Sequence, residues 1–117
     1  MTKTIAPILL FILFLLLAFT AAAGDETVTL TGEVVDLHCY TTRGAHGEEH
    51  AGCSNACLAR NVPAGLLVDG QLYLLLNEKP TVVNEKVAGL AGKTVKATGK
   101  VVERNGLKAL MLESVAQ

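Results

Sequence analysis

Two Asx-Gly dipeptides restrict what this chain can fold into. Asp69-Gly70 lies inside "GLLVDGQLYLLL" (Gly65 to Leu76), and Asn105-Gly106 separates "KTVKATGKVVE" from "LKALMLESV". An Asx-Gly pair between apolar runs supplies the positive-φ residues of a type I′ turn, whose twist matches that of paired antiparallel strands. Each dipeptide therefore predicts a β-hairpin. In the second hairpin Val95, Ala97, Gly99 and Val101 share one face, while Lys96, Thr98 and Lys100 share the other. That alternation describes a strand with one buried and one solvated side.

The remaining segments fit around these hairpins. "TVTLTGEVVDLHCY" (Thr27 to Tyr40) is rich in β-branched residues and reads as a long first strand, bent near Gly32, because glycine within a strand marks a coil or bulge. A polar, turn-forming stretch from Thr41 to Gly52 follows. "CSNACLAR" (Cys53 to Arg60) then suits two helical turns, ended by Asn61 and Pro63. "TVVNEKVAGLAG" (Thr81 to Gly92) follows Pro80 and carries Val83, Val87 and Leu90 at helical spacing, so a helix is expected there.

The order is strand, insert, hairpin, helix, hairpin. It predicts a mainly β, five-stranded OB-like barrel with a short helical insert between strands 1 and 2 and a helix between strands 3 and 4. Another small β-barrel or a β-sandwich is the alternative. "TLTGEVVDLHCY" and "LAGKTVKATGKVVERNGLKALMLESV" resemble the opening and closing strands of small exported bacterial OB-fold proteins that carry a Cys/His-rich insert after the first strand. The resemblance implies the fold and leaves the activity open, since OB folds host oligonucleotide, oligosaccharide, metal and protein ligands.

Residues 1–23 read as a secretory signal peptide. Lys3 supplies the positive end, "IAPILLFILFLLLAF" (Ile5 to Phe19) the apolar run, and Ala21 and Ala23 an A-x-A cleavage site before Gly24. The run falls short of the roughly 20 residues that a spanning helix needs. The expectation is one domain, residues 24–117, exported to the periplasm or beyond, with no stable membrane insertion after cleavage. An uncleaved anchor is the alternative.

Composition narrows the function. The formal net charge is −1, Trp is absent, and Phe11, Phe14 and Phe19 all lie in the leader, leaving Tyr40 and Tyr73 as the aromatics of the domain. Neither a basic patch nor a stacking platform is present, so nucleic acid is not an expected partner. The chain has no G-x-S-x-G, phosphate loop, C-x-x-C or C-x-x-C-H, and an enzyme is not expected.

What stands out is that all three cysteines and all three histidines fall between His38 and Cys57. Cys53 and Cys57, at i and i+4 of the expected helix, share a face. His50 precedes them within reach of the first turn, and Cys39 ends the expected first strand. The helix start favours negative charge, which suits thiolate ligands. Cys39, His50, Cys53 and Cys57 thus form a candidate Cys3His site for Zn or Cu, structural or metal-handling. "HGEEH" is not a zincin motif, because Gly47 separates His46 from Glu48. His46 is expected to be a solvated loop residue, and His38, on the opposite strand face from Cys39, is not expected to be a ligand. Two alternatives use the same residues. Cys39 paired with Cys53 or Cys57 would brace an OB-fold binding module for a small ligand or protein partner, leaving an odd cysteine. A reactive thiol would make a redox protein.

Overall fold

A computed structural model describes residues 25–117, so the expected signal peptide lies outside the described residues. Five strands form one sheet that closes on itself in the order β1-β2-β3-β5-β4, with β4 returning to β1. The strands are β1 (Thr27–Asp36), β2 (Ala64–Val68), β3 (Gln71–Leu76), β4 (Thr94–Arg104) and β5 (Leu107–Ala116). All neighbouring pairs are antiparallel except β3 with β5, which run parallel from Leu74–Ala109 to Leu76–Met111. Both expected hairpins form. Asp69 and Gly70 have φ of 46° and 78°, and Asn105 and Gly106 have 51° and 86°, positive at both central turn residues as a type I′ turn requires.

The first strand closes the ring by serving two partners. Thr27 to Glu33 pair with β4, and Glu33 to Asp36 pair with β2. Gly32 sits at the handover, where a Cβ would come within 2.5 Å of the Leu67 carbonyl oxygen. The register of β4 and β5 shifts between Thr98 and Gly99, and a side chain at Gly99 would collide with the Met111 backbone. Inside the ring, Val34, Leu66, Leu75, Val95, Ala97, Leu110 and Leu112 form the core.

Two expected elements differ. The first strand ends at Asp36, not Tyr40, and residues from Leu37 onward turn into a helix. Between β3 and β4 the expected helix is only a 3-10 turn, Asn84–Val87. Val83 and Val87 are buried as their spacing required. The turn cannot extend, because Gly89 takes φ of 74° and Ala91 is drawn into a β-bridge with Val34.

Asn84 ties this turn to the insert. Its side-chain amide is buried and donates to the carbonyls of Leu58 (2.8 Å) and Val62 (2.7 Å). Asn84→Ala strips both carbonyls of that donor, and should lower unfolding stability in urea by about 1–3 kcal/mol. An unchanged midpoint would mean that the bonds contribute nothing net.

Candidate metal centre

The insert between β1 and β2 begins with a cap. Asp36 keeps extended backbone angles (φ −83°, ψ 134°), and its Oδ1 accepts the Cys39 N–H at 2.8 Å. An aspartate that satisfies an orphan N–H of the first turn is an N-cap, and it starts helix α1 (Leu37–Arg43). Gly44 ends it in the left-handed region (φ 66°), donating its N–H to Tyr40 O at 2.7 Å. Cys39 is therefore carried on a helix, not on a strand end. His38, beside it, points to solvent, and Arg43, four residues on, shares the face of Cys39.

The connecting loop is fastened to the sheet. Glu33 accepts the Gly47 N–H and meets His46 Nδ1 at 3.2 Å, while the His46 ring lies edge-on to Tyr40. A 3-10 turn, Glu48–His50, leads into helix α2 (Ala51–Ala59). Asn55 on α2 accepts the Ala91 N–H at 3.0 Å, and Leu58 inserts into the core. These contacts hold Cys53 and Cys57 against α1.

The outcome is a group of three sulfurs. Cys39, Cys53 and Cys57 place their Sγ atoms within 4.8 Å of one another. All three thiols are free, so neither alternative pairing of Cys39 forms a disulfide in this structure. Burial is graded: Cys39 is 2% exposed, Cys57 is half-buried and Cys53 is exposed. Two guanidinium groups touch the cluster. Arg43 donates to Cys39 Sγ at 2.8 Å, and Arg60 approaches Cys57 Sγ at 3.8 Å. The hydrogen bond to Cys39, with the added field of Cys53 and Asp36, holds the Arg43 guanidinium above its ordinary pKa. A cavity of about 160 Å³ opens beside the sulfurs, lined by Cys39, Arg43, Ala45, His50, Cys53 and Ser54.

The structure thus brings three of the four expected ligands together. His50 stands apart from the sulfur group, exposed at the N-cap of α2 and in the cavity wall. His46 is engaged by Glu33, and Glu48 and Glu49 are exposed on the 3-10 turn. Arg43, Arg60 and the Asp36 cap carry roles that reading the cysteines alone misses. Their signal is spacing: an arginine four residues after Cys39, another three after Cys57, and an aspartate three before Cys39.

Chemically, the arrangement offers soft sulfur donors from two helices, cationic N–H groups that stabilise negative sulfur, and access from one side. No family model matches the chain, and no curated protein or solved structure does either.

The cluster depends on close seating of the insert. Gly92 adopts φ of 80°, and a Cβ there would come within 2.7 Å of Gly47 O and 2.9 Å of the Ala51 Cβ. Gly92→Ala should destabilise the fold by more than about 1 kcal/mol and raise the reactivity of Cys39 towards a thiol reagent. Wild-type stability together with wild-type Cys39 protection would contradict this seating.

Proposed function

We propose that this chain is a small metal-binding protein that holds one transition-metal ion, Zn or Cu, through Cys39, Cys53 and Cys57. One observation carries the reading: three sulfurs from two separate helices converge within 4.8 Å. Metal–sulfur bonds of about 2.3 Å around one ion require sulfurs roughly 3.8–4.0 Å apart, so side-chain rotations closing about 1 Å would suffice. His50, in the cavity wall, is the nitrogen available as a fourth ligand. The ion serves either as a structural clasp between α1 and α2 or as cargo.

An OB-like barrel is supported by the closed order β1-β2-β3-β5-β4 and the parallel β3–β5 pair. Export rests on the leader pattern of residues 1–23. A role without catalysis rests on the lack of a catalytic motif. No helix among the described residues is long and apolar enough to cross a membrane. Thiol chemistry is the second reading, favoured by the Arg43 donor on Cys39 Sγ. The burial of Cys39 weighs against attack on anything larger than a small molecule.

Elemental analysis, native and denaturing mass spectrometry and thiol counting on protein purified without reductant test the proposal. The expected result is one Zn or Cu per chain, with three thiols recovered after chelation and denaturation, and loss of the ion in Cys39→Ser and Cys57→Ser. A metal-free chain lighter by two hydrogens would instead identify a disulfide-braced binding module.

A further inference from the structure

We infer that the ion this site is built for is Cu(I), held by three thiolates without a fourth protein ligand and exchanged at the exposed sulfur of Cys53. The inference rests on the metal-binding reading above and narrows it to one ion.

Donor number favours Cu(I). Among the described residues, no imidazole or carboxylate atom joins the three sulfurs in the cluster. Structural Zn(II) is almost always four-coordinate, so with three sulfurs it would have to recruit its last ligand from elsewhere. Cu(I) is soft, is selected by thiolates, and is complete with three.

The cavity wall points the same way. The open space beside the sulfurs of Cys39 and Cys53 is otherwise lined by Arg43, Ala45, His50 and Ser54. A guanidinium has five N–H donors and no lone pair to give, and the Ala45 methyl has none either. The Ser54 hydroxyl is a neutral, hard oxygen, poorly matched to a soft ion. Of these four only His50 offers a matched ligand atom, and it is exposed at the start of α2, outside the sulfur group. The N–H donors of Arg43 and Arg60 offset the excess negative charge that three thiolates leave around a monovalent ion. Asp36 also acts on Arg43, so charge alone does not choose the ion; donor number does.

Graded burial supplies the exit. Cys39 anchors the buried end, and Cys53 lies at the surface. An incoming thiol loses its proton to solvent and its sulfur bonds copper; the Cu–S bond to Cys53 breaks, and that sulfur takes up a proton. Copper stays Cu(I) throughout, so no oxidant or reductant is needed.

The test is an anaerobic titration of the purified chain with Cu(I), supplied as its acetonitrile complex and read by copper K-edge X-ray absorption. Co(II) serves in parallel as a spectroscopic substitute for Zn(II). One Cu(I) with three sulfur neighbours and no nitrogen is expected. His50→Ala should change the Cu(I) affinity by less than the roughly 10-fold that even an outer-shell partner contributes. The Co(II) spectrum should shift on adding imidazole, which fills the open position. Brief iodoacetamide labelling of the copper-loaded chain should modify Cys53 before Cys39 or Cys57. A copper-bound nitrogen lost in His50→Ala, or a Co(II) spectrum indifferent to imidazole but altered by His50→Ala, would mean a closed four-ligand site. The inference would then fall while the metal reading stands. Labelling of Cys39 first would overturn the exit at Cys53. Failure of the reduced chain to bind Cu(I), Co(II) and Zn(II) would overturn both readings.

Discussion

The pairing of β1 on both of its edges is the constraint on which the molecule depends. Residues up to Glu33 close the ring against β4, and residues from Glu33 to Asp36 hold β2. The last of these pairs joins Asp36 to Ala64, and the Leu37 N–H extends the contact to Pro63 O at 2.9 Å. Everything between these residues is an excursion whose two ends the sheet already holds side by side. The sheet thus bears much of the entropic cost of closing the insert, and a few further contacts fix the positions of its sulfurs.

Those contacts are polar and wholly or partly buried, and they matter because the helices are short. α1 has 7 residues and α2 has 9, whereas isolated helices below about 12–15 residues are marginal in water. Asp36 caps one, Asn55 pins the other to Ala91, and Asn84 holds the carbonyl end of α2. Asp36 also has a cost: Oδ2 is buried without a hydrogen-bond partner among the described residues. An uncompensated buried polar atom opposes folding. A metal ion bound by sulfurs of both helices would add a cross-link that neither helix can supply.

How much of this was legible depends on whether the determinant is local. The hairpins at Asp69-Gly70 and Asn105-Gly106 were legible because turn chemistry resides in two residues. The proximity of Cys53 and Cys57 was legible because one helical turn sets it. The switch at Asp36 was not. Leu37, His38, Cys39 and Tyr40 continue a β-rich run without interruption, and only a buried cap with Gly44 closing the helix converts them. Cys39 still reached the cluster, by a helix instead of a strand. The segment from Thr81 to Gly92 has helical spacing, but tertiary pairing of Ala91 with Val34 outweighs it. His50 had the right spacing to be a ligand, yet its position at the N-cap of α2 leaves it exposed beside the sulfurs, a detail that sequence distance does not contain.

The closed β-sheet carries a cluster of three sulfurs, proposed above to share one ion. Anomalous scattering from a crystal of the metal-loaded chain, collected at the edge of the bound metal, locates that ion. One peak per chain is expected, about 2.3 Å from each of Cys39, Cys53 and Cys57 Sγ. A peak elsewhere, or continuous density joining two of the sulfurs with no metal between them, would contradict it.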